Sequence, residues 1–361
     1  MKKTKLKKIK PPKLNSKLFK RTKTVEERVS DAISNVPRIT NETVADHRED
    51  VLSSARKYIY PLQHSKHSVV RISIVLLTSG IIAFLVLCGL DLYKFQGTSS
   101  FIYDVTKLVP LPVAKVGNRW VGYDSYLFEL RRNMHYYATQ QQADFSTTTG
   151  KVQLVRLKQQ AMNQSIQNAL VDELADQNHV TVSDQEVNNQ VDLLRNENRL
   201  GSSDHVFKEV LSQYWGWSES DFKSELSEQL LQQAVVAKLD TNTVNKANTV
   251  LKIVNSGGDF ATLASQYSDD ASTKTNGGQY PSAITINDAQ IPPEITNVLF
   301  NLKPGQTSGI VNTGFTLEIL KVIDSEGSSL HAAHIQFTFQ SINTYTQPLQ
   351  HKEKLHEYIK I

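Results

Sequence analysis

The chain has 361 residues, room for two or three domains. Its net charge of +4 conceals a split: residues 1–71 carry 18 Lys and Arg against 7 Asp and Glu, and the rest carries 22 against 29. The single cysteine excludes a disulfide-built fold. Ten scattered His leave no zinc pattern, and there is neither a phosphate loop nor a G-x-S-x-G elbow, so no metal or cofactor is expected.

Residues 1–23 are Lys-rich with Pro11-Pro12 and almost no apolar pattern, which predicts a disordered head. Such a run serves more often as a topology signal with weak attraction to anionic lipid than as a nucleic-acid arm, so no nucleic-acid partner is assigned. Val44, Val51, Leu52, Ala55, Tyr58 and Ile59 give a short amphipathic helix over 43–60, broken at Pro61. Residues 72–90 contain no charge and are mostly Ile, Leu and Val. At about 1.5 Å per residue they suffice to cross roughly 30 Å of hydrocarbon; the bland alternative is a buried core helix. The excess of Lys and Arg before the span keeps residues 1–71 in the cytoplasm and the rest outside. A 71-residue leader is too long for a cleaved signal peptide. Cys88 reads as an apolar membrane residue.

Residues 91–112 form a connector ending in Pro110-Leu111-Pro112. Val113 to Asn118 alternates as a short strand and turn. Arg119 to Asp124 leads into a helix with Tyr126, Leu127 and Leu130 on one side. Apolar residues from Leu154 to Leu174 recur at three and four, which predicts a long amphipathic helix over 152–175. Ser183-Asp184-Gln185-Glu186 is a capping box with Val182 and Val187 as its hydrophobic staple. Ser218 repeats the device, with Trp217 placed to pack on Phe222, and its helix continues towards Val236. Asn196 to Asp204 is a polar linker.

Val250 to Val254 end a helical pattern that Gly257-Gly258 stops, and a new helix opens at Asp259 with Phe260, Leu263 and Ala264 on one face. Ser268-Asp269-Asp270 and Asn276-Gly277-Gly278 are turn chemistry. Then come Pro304-Gly305-Gln306-Thr307-Ser308, a β-rich run from Thr316 to Ile323, a tight linker Asp324–Ser329 and a second strand over 332–339. His351 to Ile361 reads as a short polar helix.

The order from Val250 to Ile323 resembles the parvulin family of peptidyl-prolyl isomerases, whose pattern runs roughly G-x-D-F-x-x-L-A-x-x-Y-S-x-D, G-G-x-L-G, L-x-x-G-Q-x-S and a last strand. The preceding Val-x-Lys-Val-Gly-Asn followed by helices resembles the amino-terminal chaperone domain of SurA, PrsA and PpiD-type foldases. Together the two resemblances cover about 113–324. They imply an α+β chain: a transmembrane helix (72–90), a helical chaperone domain (113–239), a parvulin-like domain with a small antiparallel sheet (240–340) and a tail (341–361). They further imply an extracytoplasmic folding factor of a bacterial cell membrane, binding unfolded or newly exported polypeptides and isomerising X-Pro bonds. The alternative is a holdase that kept the fold and lost the chemistry.

A prolyl isomerase breaks no covalent bond; it lowers a barrier of about 18–20 kcal/mol to rotation about a peptide bond. An apolar pocket for the proline ring beside polar groups that favour the twisted amide is what such a task requires. By resemblance, Asp270 falls where parvulins place a Cys or Asp, with capping of the turn as the plainer role. Ile291, Ile295 and Phe300 fall on pocket positions, or are plain core. Tyr280 stands for the pocket leucine and Pro281 for the following glycine. Two family histidines are missing from their places: the last strand has Glu318, and Val235–Leu239, where a first strand is expected, has none. His331-Ala332-Ala333-His334 resembles that first strand. In the family fold the first and last strands are neighbours, so a hairpin from 316–323 to 332–339 would set His334 beside Glu318 in a circularly permuted parvulin. A remnant of a second repeat and a plain tail strand are the rival readings.

Overall fold

The structure is a computed structural model that describes residues 24–34, 39–59, 62–196 and 203–361. The Lys-rich head (1–23), Pro61 and most of the 196–204 linker lie outside the described residues. The chain divides into two compact units, 1–82 and 83–361. The first contains α1 (Val25–Ser34), α2 (Asn41–Ile59) and the greater part of α3 (Leu62–Leu90). The amphipathic helix expected over 43–60 is therefore present as α2. Among the described residues one stretch, Ser68–Phe95, is long and apolar enough to cross a membrane.

In the second unit α3 runs without a break into a π-helical turn at Asp91–Phe95, closed by Gln96 in the left-handed region. The stretch 91–112 is more than a connector: it holds α4 (Ser100–Leu108), and Leu92, Ile102, Tyr103 and Val105 are buried. They join Cys88, β1 (Pro112–Val116), β2 (Arg119–Gly122), α5 (Tyr123–Gln140) and the first half of α6 (Thr148–Asn178) in one apolar core. Tyr123 fixes the turn to this core by donating to the Leu92 carbonyl at 2.6 Å.

The capped helices form as their sequences dictate. In α7 (Asp184–Asn196), Glu186 accepts from the Ser183 backbone N–H at 2.7 Å, and the Ser183 hydroxyl accepts from the Glu186 N–H. A complete Ser218/Asp221 capping box opens α9 (Glu219–Leu239). Val182 and Val187 join one cluster with Phe207 of α8 (Asp204–Val210) and Leu226. Trp217 and Phe222 border that same cluster, but each ring takes a different partner: Trp217 stacks on Phe128 and Trp215, Phe222 meets Phe207 edge-on. Val235–Leu239, considered as a strand, is helical: Val235 and Val236 are buried by the last turns of α9, a position that helix periodicity satisfies and strand alternation does not.

Beyond α9 follow α10 (Thr241–Asn255), α11 (Phe260–Tyr267) capped by Asp259, a two-residue β3 (Ile284–Thr285) and α12 (Pro293–Leu299). Then come β4 (Thr307–Asn312), β5 (Thr316–Glu326) and β6 (Ser329–Thr338). The sheet order is β3-β6-β5-β4, antiparallel throughout. Strand β6 therefore lies inside the sheet, hydrogen-bonded on both edges. Gly327, at φ 61°, makes the two-residue turn from β5 to β6. Side-chain alternation divides the sheet: Leu317, Ile319, Ala333, Ile335 and Phe337 pack with α10, α11 and the ends of α6 and α9, while Leu320, Val322 and Ala332 face α12.

The last residues correct the expected polar helix. His351 and Lys352 finish α13 (Asn343–Lys352), and β7 (Leu355–Glu357) then pairs antiparallel with β1, making a sheet of order β2-β1-β7. Ile359 is buried in the core around β1. Glu353 breaks the helix by taking extended backbone, and the apolar Ile359 supplies a burial motive that a polar reading of 351–361 overlooks.

A polar seam runs between α5, α6 and α9. Glu129, Asp172, Glu225, Glu228 and Arg132 line a cavity of about 210 Å³, where Arg132 bridges Glu129 and Glu225 and Asn168 donates to Glu228. Burial, opposed in part by Arg132, pushes Glu129 up to about 7; burial and the neighbouring carboxylates push Glu228 up to about 8. A carboxyl that holds its proton more tightly when folded loses stabilising influence as pH rises from the unfolded value, near 4.5, through the folded one. Denaturant unfolding of the wild type should therefore show stability falling by roughly 4 kcal/mol between pH 6 and pH 9. Glu228→Gln should flatten much of that slope.

Candidate functional site

The site is built on the α12-facing side of the sheet. Glu318 on β5 and His334 on β6 lie on this face, one step apart in register: Leu320 pairs with His334 and Glu318 with Gln336. His334 Nδ1 lies 2.9 Å from Glu318 Oε2, and Nε2 lies 3.0 Å from Asp270 Oδ2 and 2.9 Å from Thr273 Oγ1. With both ring nitrogens protonated, each N–H meets a carboxylate. Burial alone would lower the His334 pKa, but hydrogen bonds and charge from Glu318 and Asp270 outweigh it and raise it above the ordinary imidazole value.

Asp270 is held by its own turn. Its carboxylate accepts from the Ser272 N–H at 2.9 Å, the Ser272 hydroxyl at 2.7 Å and the Thr273 hydroxyl at 2.5 Å. Burial pushes its pKa up, yet the donors Thr273, Ser272 and His334 prevail and keep it well below the usual carboxylate range. It both turns the chain and enters the site. Asp269 serves the fold alone: its backbone donates to Gln336, and its carboxylate accepts from the Thr338 N–H and pairs with Lys246 at 2.8 Å. The side chains of His334 and Glu318 are 6 % and 3 % exposed, against 20 % for Asp270, so Asp270 is the member of the line that meets solvent.

The four residues expected to line a proline pocket share one cluster. Tyr280, Ile291, Ile295 and Phe300 belong to one apolar cluster with Leu320, Val322 and Ala332. Ile295 is buried and backs the cluster; Tyr280, Ile291 and Phe300 are half-buried at its edge. The Tyr280 ring stacks on the His334 ring, 4.4 Å between centroids, joining the charged line to the apolar cluster. Its hydroxyl is buried without a hydrogen-bond partner among the described residues, and burial first, then Glu318 and Asp270, raise its pKa. Gly278 makes this approach feasible. At φ 81° it accepts from the His334 N–H at 2.8 Å, and a Cβ there would strike the His334 carbonyl.

Sequence reasoning missed Thr273, buried between Asp270 and His334, and Thr316, which donates to Glu318 Oε1 at 2.7 Å. It also missed Ser268, whose hydroxyl oxygen accepts from the backbone N–H of Gln336 at 3.1 Å and docks the turn on β6. The Asp-x-Ser-Thr order at 270–273 was a readable signal, since Asp two residues before Ser is an Asx-turn pattern.

Two family models match the chain: a SurA-like N-terminal domain over residues 62–236 and a PPIC-type PPIase (rotamase) domain over 230–324. The rotamase match ends before β6, so His334 lies outside it. The chain is 30 % identical over 137 residues to a parvulin-like PPIase of Rickettsia typhi, covering 38 % of this chain and 45 % of that protein. It is 28 % identical over 133 residues to the foldase protein PrsA of Pediococcus pentosaceus, covering 37 % and 44 %. With foldase protein PrsA 3 of Bacillus anthracis it shares 27 % over 164 residues, covering 40 % and 55 %. The chain thus spans about half the length of the curated relatives it matches.

Removing His334 leaves two carboxylates facing one another without their cation. His334→Ala should lose about 3–5 kcal/mol in denaturant unfolding, whereas His331→Ala, three residues earlier on the same strand and exposed, should stay within about 0.5 kcal/mol of wild type.

Proposed function

We propose that this chain, which carries a SurA-like N-terminal domain followed by a PPIC-type rotamase domain, is a membrane-anchored extracytoplasmic folding factor. It binds unfolded exported polypeptides and rotates X-Pro peptide bonds between cis and trans. The observation that carries this reading is the line Glu318–His334–Asp270 set against the Tyr280, Ile291 and Phe300 edge on one face of the sheet. The proline ring would rest on the apolar edge, which brings the preceding carbonyl to Asp270.

A planar amide is polarised, with negative charge on oxygen; twisting removes the conjugation and reduces that charge. A fixed carboxylate beside the oxygen disfavours the planar form more than the twisted one, which is differential binding of the transition state. Asp270 is the proposed catalytic residue. It stays ionised at working pH because its turn donors hold its pKa low. His334 and Glu318, buried behind it, are positioning residues: the imidazolium orients Asp270, and Glu318 holds the imidazolium. In this reading β6 fills the first-strand place of a circularly permuted parvulin. What supports it is the position of β6 between β3 and β5 and the buried His334 it carries.

Anchoring rests on the 28-residue apolar stretch Ser68–Phe95 and the excess of Lys and Arg before it. The holdase reading keeps one observation in its favour. Glu318 stands where the family has a histidine, and both N–H groups of His334 are already engaged, so neither is free to donate to substrate.

The test is NMR exchange of an unstructured Xaa-Pro peptide with the full chain in detergent; a fragment starting at residue 91 would remove Cys88 and the end of α3 from the core. Exchange above background is expected, falling at least tenfold in Asp270→Ala and less in Asp270→Glu. No exchange, from a folded chain that suppresses aggregation of unfolded clients, would make the protein a holdase.

A further inference from the structure

We propose that α4 is a membrane-interface helix, seating the chaperone module in the outer leaflet with Phe101 inserted among the lipids. The inference rests on the membrane-spanning reading of α3 and goes beyond it to a lipid-contacting surface on the folded module. The first observation is continuity. No linker separates the apolar stretch from the module: α3 is helical through Leu90, the π turn follows at once, and Cys88 and Leu92 are 5 % and 0 % exposed within the module's core.

The second observation is length. Nineteen uncharged residues, Ile72–Leu90, cover about 28 Å, close to the hydrocarbon thickness of a bilayer. With Arg71 kept at one boundary, the other falls near Leu90 and Asp91. Phe84 then lies about 9 Å inside the hydrocarbon and Cys88 about 3 Å inside. The Phe84 ring meets the Phe101 ring of α4 edge-on at 6.2 Å. A module that places Phe101 against Phe84 has to bring Phe101 below the boundary.

The surface has the composition such a seat requires. Phe95, Phe101 and Leu108 are 69 %, 62 % and 83 % exposed, and Phe101 and Leu108, seven residues apart, share one face of α4. The opposite face, Ile102, Tyr103, Val105 and Thr106, is buried in the module, so lipid has only the outer face to meet. Lys94 lies over the Phe95 ring at 5.7 Å, a basic and aromatic pair at headgroup level. Asp104, the acidic residue on the exposed side of α4, limits the depth of insertion: its carboxylate stays among the headgroups.

The experiment uses the full chain in vesicles of phosphatidylethanolamine and phosphatidylglycerol. Nitroxides are placed singly at Ile81→Cys, Phe101→Cys, Leu108→Cys and Val155→Cys, with the wild type, whose Cys88 is buried, as the unlabelled control. Collision with oxygen and with a water-soluble nickel complex reads depth. Position 101 should favour oxygen over nickel at least fivefold relative to position 155, with 108 between them. Nickel accessibility at 101 and 108 equal to that at 155, with 81 deep in lipid, would overturn the seat and leave the span intact. An aqueous reading at 81 would overturn the span and the seat together.

Discussion

The His334 side chain brings both of its ring nitrogens to carboxylates, Glu318 on one side and Asp270 on the other. Glu318 is otherwise unfavourable where it stands, whereas Asp270 also has the donors of its own turn. Glu318 is 2 % exposed in the middle of a strand, and two ionised groups this close to a buried ring require a cation between them. His334, whose pKa the two carboxylates raise, is the group placed to supply it. In return, the pairing determines where β6 must lie, because only a strand beside β5 places its ring between Glu318 and the turn at 268–273. Ser268 and Asp269 fasten that turn to β6 by backbone and side-chain bonds at Gln336 and Thr338. Gly278 and Tyr280 fasten the next stretch at His334 and Ala332.

This arrangement ties the two family-matched segments into one folding unit. The inner face of the sheet shares its core with Val171, Leu174, Val235 and Val236, so the ends of α6 and α9 belong to both halves. After β6 the chain continues through α13 to β7, which completes the sheet begun by β1 and β2. The rotamase-matched segment is thus enclosed, in chain order, by the SurA-like segment before it and by α13 and β7, which return to β1, after it.

Much of this was legible from local chemistry. The caps at Ser183, Ser218 and Asp259 announced their helices because each satisfies orphaned N–H groups within three residues. β-rich runs at 316–323 and 332–339 announced β5 and β6, whereas the hairpin between them was an expectation drawn from the parvulin resemblance, in which the first and last strands are neighbours. Asp270, Glu318, His334, Tyr280, Ile291, Ile295 and Phe300 were singled out by the resemblance, and they lie together on the α12 side of the sheet, joined by the Tyr280–His334 stack. What local pattern did not disclose depends on distant partners. Thr273 and Thr316 look like ordinary turn and strand residues until the carboxylates they bond are in place. Residues 355–357 are too few and too polar to reveal a strand, which forms because β1 offers a free edge. Residues 91–112 looked like a connector because the burial of Leu92, Ile102 and Tyr103 draws on α5 and α6.

The arrangement as a whole depends on a cationic His334 held between Glu318 and Asp270. The direct measurement is the ¹⁵N shifts of its ring nitrogens against pH in the full-length protein. The transition should fall above the free imidazole value, and Glu318→Gln should bring it down towards that value. A transition at or below the free imidazole value in the folded wild type would contradict the pairing, since one of the two carboxylates would then face an unprotonated nitrogen.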